Sequence, residues 1–159
     1  TSVDVAKSAV KHAKKIIAQI NPNMPRTLGD GFVHVSQMAA AVACNDTLPQ
    51  VKYSDRISAS EQIIGNKIAE LVDDRSTLQM GIGAIPDAVL QSLTHCKDLG
   101  VHTEMFSDGV IDLIKKGVIT NAYKKKHRGK TVAAFAIGTD KLYNFVDDNP
   151  GFAFLEADY

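Results

Sequence analysis

The sequence predicts an α/β protein built on a parallel sheet, and three observations carry that expectation. Short apolar runs alternate with helical patterns from residue 58 onward. A glycine turn, Gly81-Ile82-Gly83, joins one such run to the helix after it. The next run holds a single carboxylate, Glu104, among apolar neighbours just before another turn. That order sets backbone amides and one reactive side chain at the mouth of a sheet.

A first helix is expected over 2–20, where Val3, Ala6, Val10, Ala13 and Ile17 recur at intervals of three and four. Asn21-Pro22-Asn23-Met24-Pro25 ends it, because proline cannot continue a helix. Phe32-Val33-His34-Val35 follows the Gly29-Asp30-Gly31 turn as a strand, and 38–44 reads as a second, alanine-rich one. The polar stretch 46–55 contains Pro49, shows no period and is the linker candidate. Ser58-Ala59-Ser60-Glu61 is a capping box. The helix it opens carries an apolar stripe of Ile63, Ile64, Ile68, Leu71 and Val72. Beyond it the expected order is strand 77–80, helix 86–93, strand 101–106, helix 110–116, strand 132–137, helix 140–146 and strand 152–155.

Bulk properties exclude several classes. Hydrophobic content is 45% and charged content 23%, ordinary for a globular domain. Lysine plus arginine and aspartate plus glutamate both number 18, which argues against nucleic acid or an anionic membrane as partner. No apolar run is long enough to span a bilayer, and residue 1 opens into a helical pattern rather than a signal peptide. Cys44 and Cys96 lie far apart, fit no metal-ligand spacing and read as free thiols. The five histidines also lack ligand spacing, so no metal is expected. Both ends look cut: a helix starts without lead-in, and 152–159 stops on a strand, as in a piece of a longer protein.

Gly81 and Gly83 allow positive φ and close approach of a ligand, and Pro86 fits the first helical turn, whose free amides point outward. The plainer alternative is a tight strand-to-helix connection. On an extended strand Glu104 shares a face with His102 and Phe106, while Val101, Thr103 and Met105 share the other. Partial burial there would strip water from the carboxylate and sharpen it as a nucleophile; a solvated edge residue or ion-pair partner is the alternative. Ser107-Asp108-Gly109 reads as a turn and helix cap. The basic run 123–130 reads as a solvated loop or as a landing site for a phosphorylated ligand. Arg26, in a loop rich in proline, asparagine and glycine, could meet a carboxylate bidentately or simply follow a helix stop.

Taken together, 1–5, 21–30, 64–71, 81–90 and His102-Thr103-Glu104-Met105-Phe106-Ser107-Asp108-Gly109 resemble the acetyl-CoA hydrolase/transferase family, in particular its 4-hydroxybutyrate CoA-transferase branch. The resemblance runs along almost the whole chain. It implies a parallel-sheet CoA-transferase-type (NagB/RpiA/CoA-transferase-like) fold, partial here. Residues 1–50 would be the C-terminal end of a first domain, and 51–159 the N-terminal half of a second. It implies Glu104 as the covalent catalyst and Gly81, Ile82, Gly83, Ala84 and Ile85 as a coenzyme A contact. Asn23 and Arg26 would be loop residues reaching toward the substrate. It further implies acyl-CoA and a short-chain carboxylate as substrates, no metal, and a homo-oligomer, a dimer, at full length. The compartment would be intracellular, cytoplasmic in a bacterium and mitochondrial in a eukaryote. Acetyl-CoA hydrolysis at the same site, a non-catalytic fragment and a sugar-phosphate isomerase on a related fold are the competing readings. One departure is Ala39-Ala40-Ala41-Val42-Ala43-Cys44, where a bulkier, more acidic strand is expected.

Overall fold

Four parallel strand pairs organise the chain in a computed structural model that describes residues 1–159. Helix α1 (Ala6–His12) leads to β1 (Ile17–Ile20), which pairs in parallel with β2 (Ala40–Ala43). The expected 2–20 helix is therefore corrected: it stops at Ala13, whose extended ψ of 135° breaks the spiral. The β-branched Ile16-Ile17 pair beyond it favours a strand once β2 offers a partner. The expected strand at 32–35 is also corrected. Val35–Gln37 is a single 3-10 turn capped by the His34 ring, and no strand edge lies beside it to complete a ladder.

The capping box forms as expected: Ser58 Oγ accepts from Glu61 N, and the Glu61 carboxylate accepts from Ser58 N at 2.7 Å. It starts α2 (Ala59–Ala69), but the apolar stripe does not face inward. Ile63, Ile64, Ile68 and Leu71 are exposed, and the buried side is Gly65 and Ala69. The reason is close approach. A Cβ on Gly65 would lie 2.7 Å from the carbonyl carbon of Ala88 in α3 (Ala84–Ser92), so small residues set that contact.

The core is a run of parallel strands crossed by helices. β3 (Thr77–Leu78) pairs with β4 (Gly100–Val101), β5 (Met105–Phe106) with β7 (Phe135–Ala136), and β6 (Thr131–Ala133) with β8 (Phe152–Phe154). A parallel bridge between His102 and Val132 joins the first pair to the last. Helices α3, α4 (Asp108–Lys115) and α5 (Asp140–Val146) make the crossovers. Two single strands of the sequence reading are each divided. The 101–106 segment breaks at Thr103 and Glu104, and 132–137 breaks at Ala134. Both breaks fall where the Glu104 carbonyl accepts two amides, from Ala134 at 2.8 Å and Phe135 at 3.0 Å, so two residues face one across the ladder.

Val101, Phe106, Ile111, Leu142, Val146 and Phe154 fill the centre, with Phe106 stacked on Phe152 at 5.6 Å. Phe106 is thus a core residue, not a partner of Glu104 on one face; the break ahead of it resets the alternation. The first residues of the chain close onto this sheet rather than standing apart. Ala136 N donates to Thr1 O, Val3 N to Ala134 O, and Val3 enters the core. Residues 45–53, between β2 and the 3-10 turn Ser54–Arg56, form neither helix nor strand.

Candidate active site

β3 runs out at Leu78, and the chain continues through Gln79 and Met80 into Gly81. Gly83, with φ 124°, is the N-cap of α3, a backbone angle side chains rarely adopt. Asp87 N closes the first turn on Gly83 O at 3.1 Å. The amides of Ala84 and Ile85 then have no acceptor inside the helix, and Pro86 in that turn forfeits nothing. A Cβ on Gly81 or Gly83 would meet no atom within 4 Å, so the turn faces open space.

Glu104 leaves the sheet on the neighbouring chain, at the break between β4 and β5. Its backbone is fixed while its side chain is exposed. Of the two sequence readings, the exposed edge residue describes Glu104 within these residues. Thr103 binds it to the glycine turn: Thr103 Oγ1 accepts from Met80 N at 3.0 Å and donates to Met80 O at 2.7 Å. Gly81 and Glu104 thus follow two residues tied to each other. Three residues on, Ser107 Oγ donates to the buried Asp87 carboxylate at 2.7 Å, tying the start of α4 to that of α3. Burial holds the Asp87 carboxyl above its usual range, with Asp108 adding to the effect and the Ser107 hydroxyl opposing it.

A cleft of about 460 Å³ opens beside Glu104, walled by Gln79, His102, Thr103, Val132, Leu155 and Tyr159. The His102 ring stacks on Tyr159 at 6.1 Å, and His127 meets His102 edge-on at 6.3 Å. Burial, then the cations Lys124, His127 and Lys126, push His102 below the ordinary histidine value. The basic run divides in function. Lys124 is buried under the sheet, donates to Val101 O and Lys130 O at 2.6 Å each, and burial pulls its pKa down to about 8. Lys126 lies over the Tyr159 ring at 5.5 Å.

Asn23 and Arg26 do not join this cleft. Asn23 Nδ2 donates to Asn45 Oδ1 and Asp46 O, both at 3.0 Å. Arg26 is engaged by Asp148, and its amide donates to Asp147 Oδ1 at 2.7 Å. Both cysteines are free thiols, and no cluster of three or more His, Cys, Asp or Glu is placed to hold a metal ion. No helix is long and apolar enough to cross a membrane. Sequence reasoning missed Thr103 and Asp87. A threonine in an apolar run reads as an ordinary strand residue, and an aspartate in a first turn as a complement to the helix dipole.

The fold is an α/β unit of the coenzyme A transferase type, as comparison with known proteins shows. The chain is 48% identical over 158 residues to the 4-hydroxybutyrate coenzyme A transferase of Clostridium kluyveri, covering 99% of the chain and 37% of that enzyme. It is 50% identical over 154 residues to the succinyl-CoA:acetate/propanoyl-CoA:succinate CoA transferase of Fasciola hepatica, 94% of the chain and 31% of that enzyme. The crystal structure of 4-hydroxybutyrate CoA-transferase from Porphyromonas gingivalis superposes with a TM-score of 0.95 at 39% identity, over 99% of the chain and 40% of that structure. No model of a known protein family matches the chain. By sequence and by fold the chain is similar to a segment of the CoA transferases, one spanning just over a third of the Clostridium relative's length.

Proposed function

We propose that the chain is part of an acyl-CoA:carboxylate CoA-transferase acting on short acids of the acetate, butyrate or 4-hydroxybutyrate type. The observation that supports it is likeness along nearly the whole chain to enzymes that are each named as CoA transferases. Glu104 is the nucleophile in this reading. A Glu104 oxygen attacks the acyl-CoA carbonyl carbon, the carbon–sulfur bond breaks, and CoA thiolate leaves a mixed anhydride. The thiolate attacks the glutamyl carbonyl of that anhydride, freeing the first carboxylate and leaving a glutamyl-CoA thioester. A second carboxylate attacks this thioester and expels the thiolate to form a new anhydride. The thiolate then takes the incoming acyl group and releases the Glu104 carboxylate. Each step exchanges an activated acyl group for another of similar energy, so no nucleotide triphosphate is consumed.

The open amides of Gly81, Ile82, Gly83, Ala84 and Ile85 are the proposed contact for coenzyme A and for the oxyanion that forms at each attack. Asn23 and Arg26, held by Asn45 and Asp148, receive no step. The whole enzyme is read as an intracellular homodimer, cytoplasmic in a bacterium or mitochondrial in a eukaryote. Two free cysteines suit a reducing compartment. The exposure of Glu104 favours one second reading, acetyl-CoA hydrolysis, in which water takes the thioester.

The test is to incubate the longest natural form of the protein with acetyl-CoA, reduce with borohydride and examine Glu104 by mass spectrometry. We expect reduction or a CoA adduct at Glu104, absent in Glu104→Ala. Turnover without any mark at Glu104 would refute the mechanism. Loss of thioester without an added carboxylate would select the hydrolase, and exchange without net loss the transferase.

A further inference from the structure

Thr103 and Ser107 stand on either side of Glu104, and both spend their hydroxyls on the same neighbouring stretch of chain. Thr103, 6% exposed, engages both backbone polar atoms of Met80, just ahead of Gly81. Its oxygen also lies 3.0 Å from Met105 O, the carbonyl one residue beyond Glu104. Ser107, 3% exposed, donates to Asp87, just beyond the 81–85 turn. The glycine turn and the carboxylate are therefore held at both ends by one pair of side-chain ties. From the third side, Ala134 and Phe135 amides fix the Glu104 carbonyl.

Burying hydroxyls and a carboxyl in a sheet–helix interface costs free energy unless every one is paired. Here none of the buried side-chain nitrogens or oxygens lacks a partner. Valine at 103 would suit a buried strand better, yet it could bind neither atom of Met80. The hydroxyl fixes the distance between two backbones, which an apolar side chain could not.

We propose that Thr103, seconded by the Ser107–Asp87 pair, is a positioning residue that sets Glu104 against the amides of Gly81–Ile85. The proposal rests on the reading of Glu104 as nucleophile and of that turn as the oxyanion cradle. Neither hydroxyl touches substrate; each acts through the backbone it fixes. Loss of the tie lets the carboxylate drift from the developing oxyanion, which affects the chemical step more than ground-state binding.

The experiment compares Thr103→Val, which keeps the shape and removes the hydroxyl, with Thr103→Ser, which keeps the hydroxyl. Both are made in the longest natural form of the protein. Measured are kcat, KM for acyl-CoA, the rate of borohydride-trapped thioester formation at Glu104, and thermal unfolding. Expected for Thr103→Val is a fall in kcat and trapping rate on the order of 10- to 100-fold with KM changed less than about threefold. Thr103→Ser should return within about threefold of the parent. Thr103→Val with the parent's kcat, or Thr103→Ser folded and as slow as Thr103→Val, overturns the proposal. Where Thr103→Val does not fold, Ser107→Ala takes its place, and a kcat equal to the parent's again overturns it. A parent enzyme that turns over without marking Glu104 removes the underlying mechanism. A marked parent with a fully active Thr103→Val removes the positioning role alone.

Discussion

The β1–β2 sheet and the β6–β8 sheet are both parallel, yet they stand in opposite surroundings. All residues of β6 and β8 are buried, whereas all four residues of β2 and three of the four in β1 are exposed. Parallel sheets are ordinarily covered on both faces, because their crossovers lay helices across them. The β6–β8 pair follows that rule, with α5 as its crossover and Phe106, Val132 and Phe154 packed within. Within these 159 residues the β1–β2 pair keeps its ladder of four registered positions with nearly all its residues exposed. Backbone pairing alone can draw a sheet; only the second one also holds a core.

The largest expected effect separates the two directly. Phe154→Ala should lose about 3–5 kcal/mol of stability through the cavity it leaves. Val42→Ala, on the open sheet, should stay within about 0.5 kcal/mol. Urea denaturation of the 159-residue chain measures both, and equal losses would erase the distinction. Hydrogen exchange sharpens it further: amides of β1 and β2 should exchange well before those of β6 and β8.

A middle-sized effect belongs to the seam between α2 and α3. Gly65→Ala sets a methyl 2.7 Å from Ala88 backbone and should cost about 1–3 kcal/mol. Ile64→Ala, on the exposed side of the same helix, should change the denaturation midpoint far less. If the two cost the same, the helix packs by its stripe after all.

A pH slope from Lys124 adds a third comparison. Its pKa falls from 10.5 unfolded to about 8 folded, so the folded state holds that proton less firmly. Folding then releases a proton between these values, and stability from this group rises with pH across the same window. Cys96 and Tyr143, both shifted upward by burial, work in the opposite sense and are common to parent and variant. The stability of the parent relative to Lys124→Met should therefore grow from pH 7.5 to pH 10. A flat difference would mean that the ammonium is not desolvated under β4.

Much of the covered sheet was legible because local signals and tertiary packing agree there. The Ser58–Glu61 box, the 140–146 helix and the 152–155 strand need only capping chemistry and periodicity, and each forms within a residue or two of its expected bounds. The open region was harder. Ala13 and Ile17 fit a helical spacing, but Ile17 belongs to a strand whose partner lies more than twenty residues on, and no local period reports that pairing. The α2 stripe misled for a related reason: hydrophobic spacing marks a face, while the backbone of Ala88 chooses Gly65 and Ala69 as the one to bury. At the site, Glu104 and the 81–85 turn stood out from residue type and order. The ties through Thr103 and Asp87 did not, since a hydroxyl's partner depends on which strands become neighbours.

The bonds that join residues 3–30 to residues 134–156 have a kinetic consequence. Arg26 N reaches Asp147 across 121 positions, and Glu156 N reaches Asp30 across 126. Val3 similarly completes a hydrophobic cluster whose other members run from Ala69 to Phe154. Contacts of such separation form late, because the loop they close must lose its freedom before they return anything. On a ribosome Val3, Arg26 and Asp30 emerge well before these partners exist. Those particular bonds must wait until residues 134–156 are made.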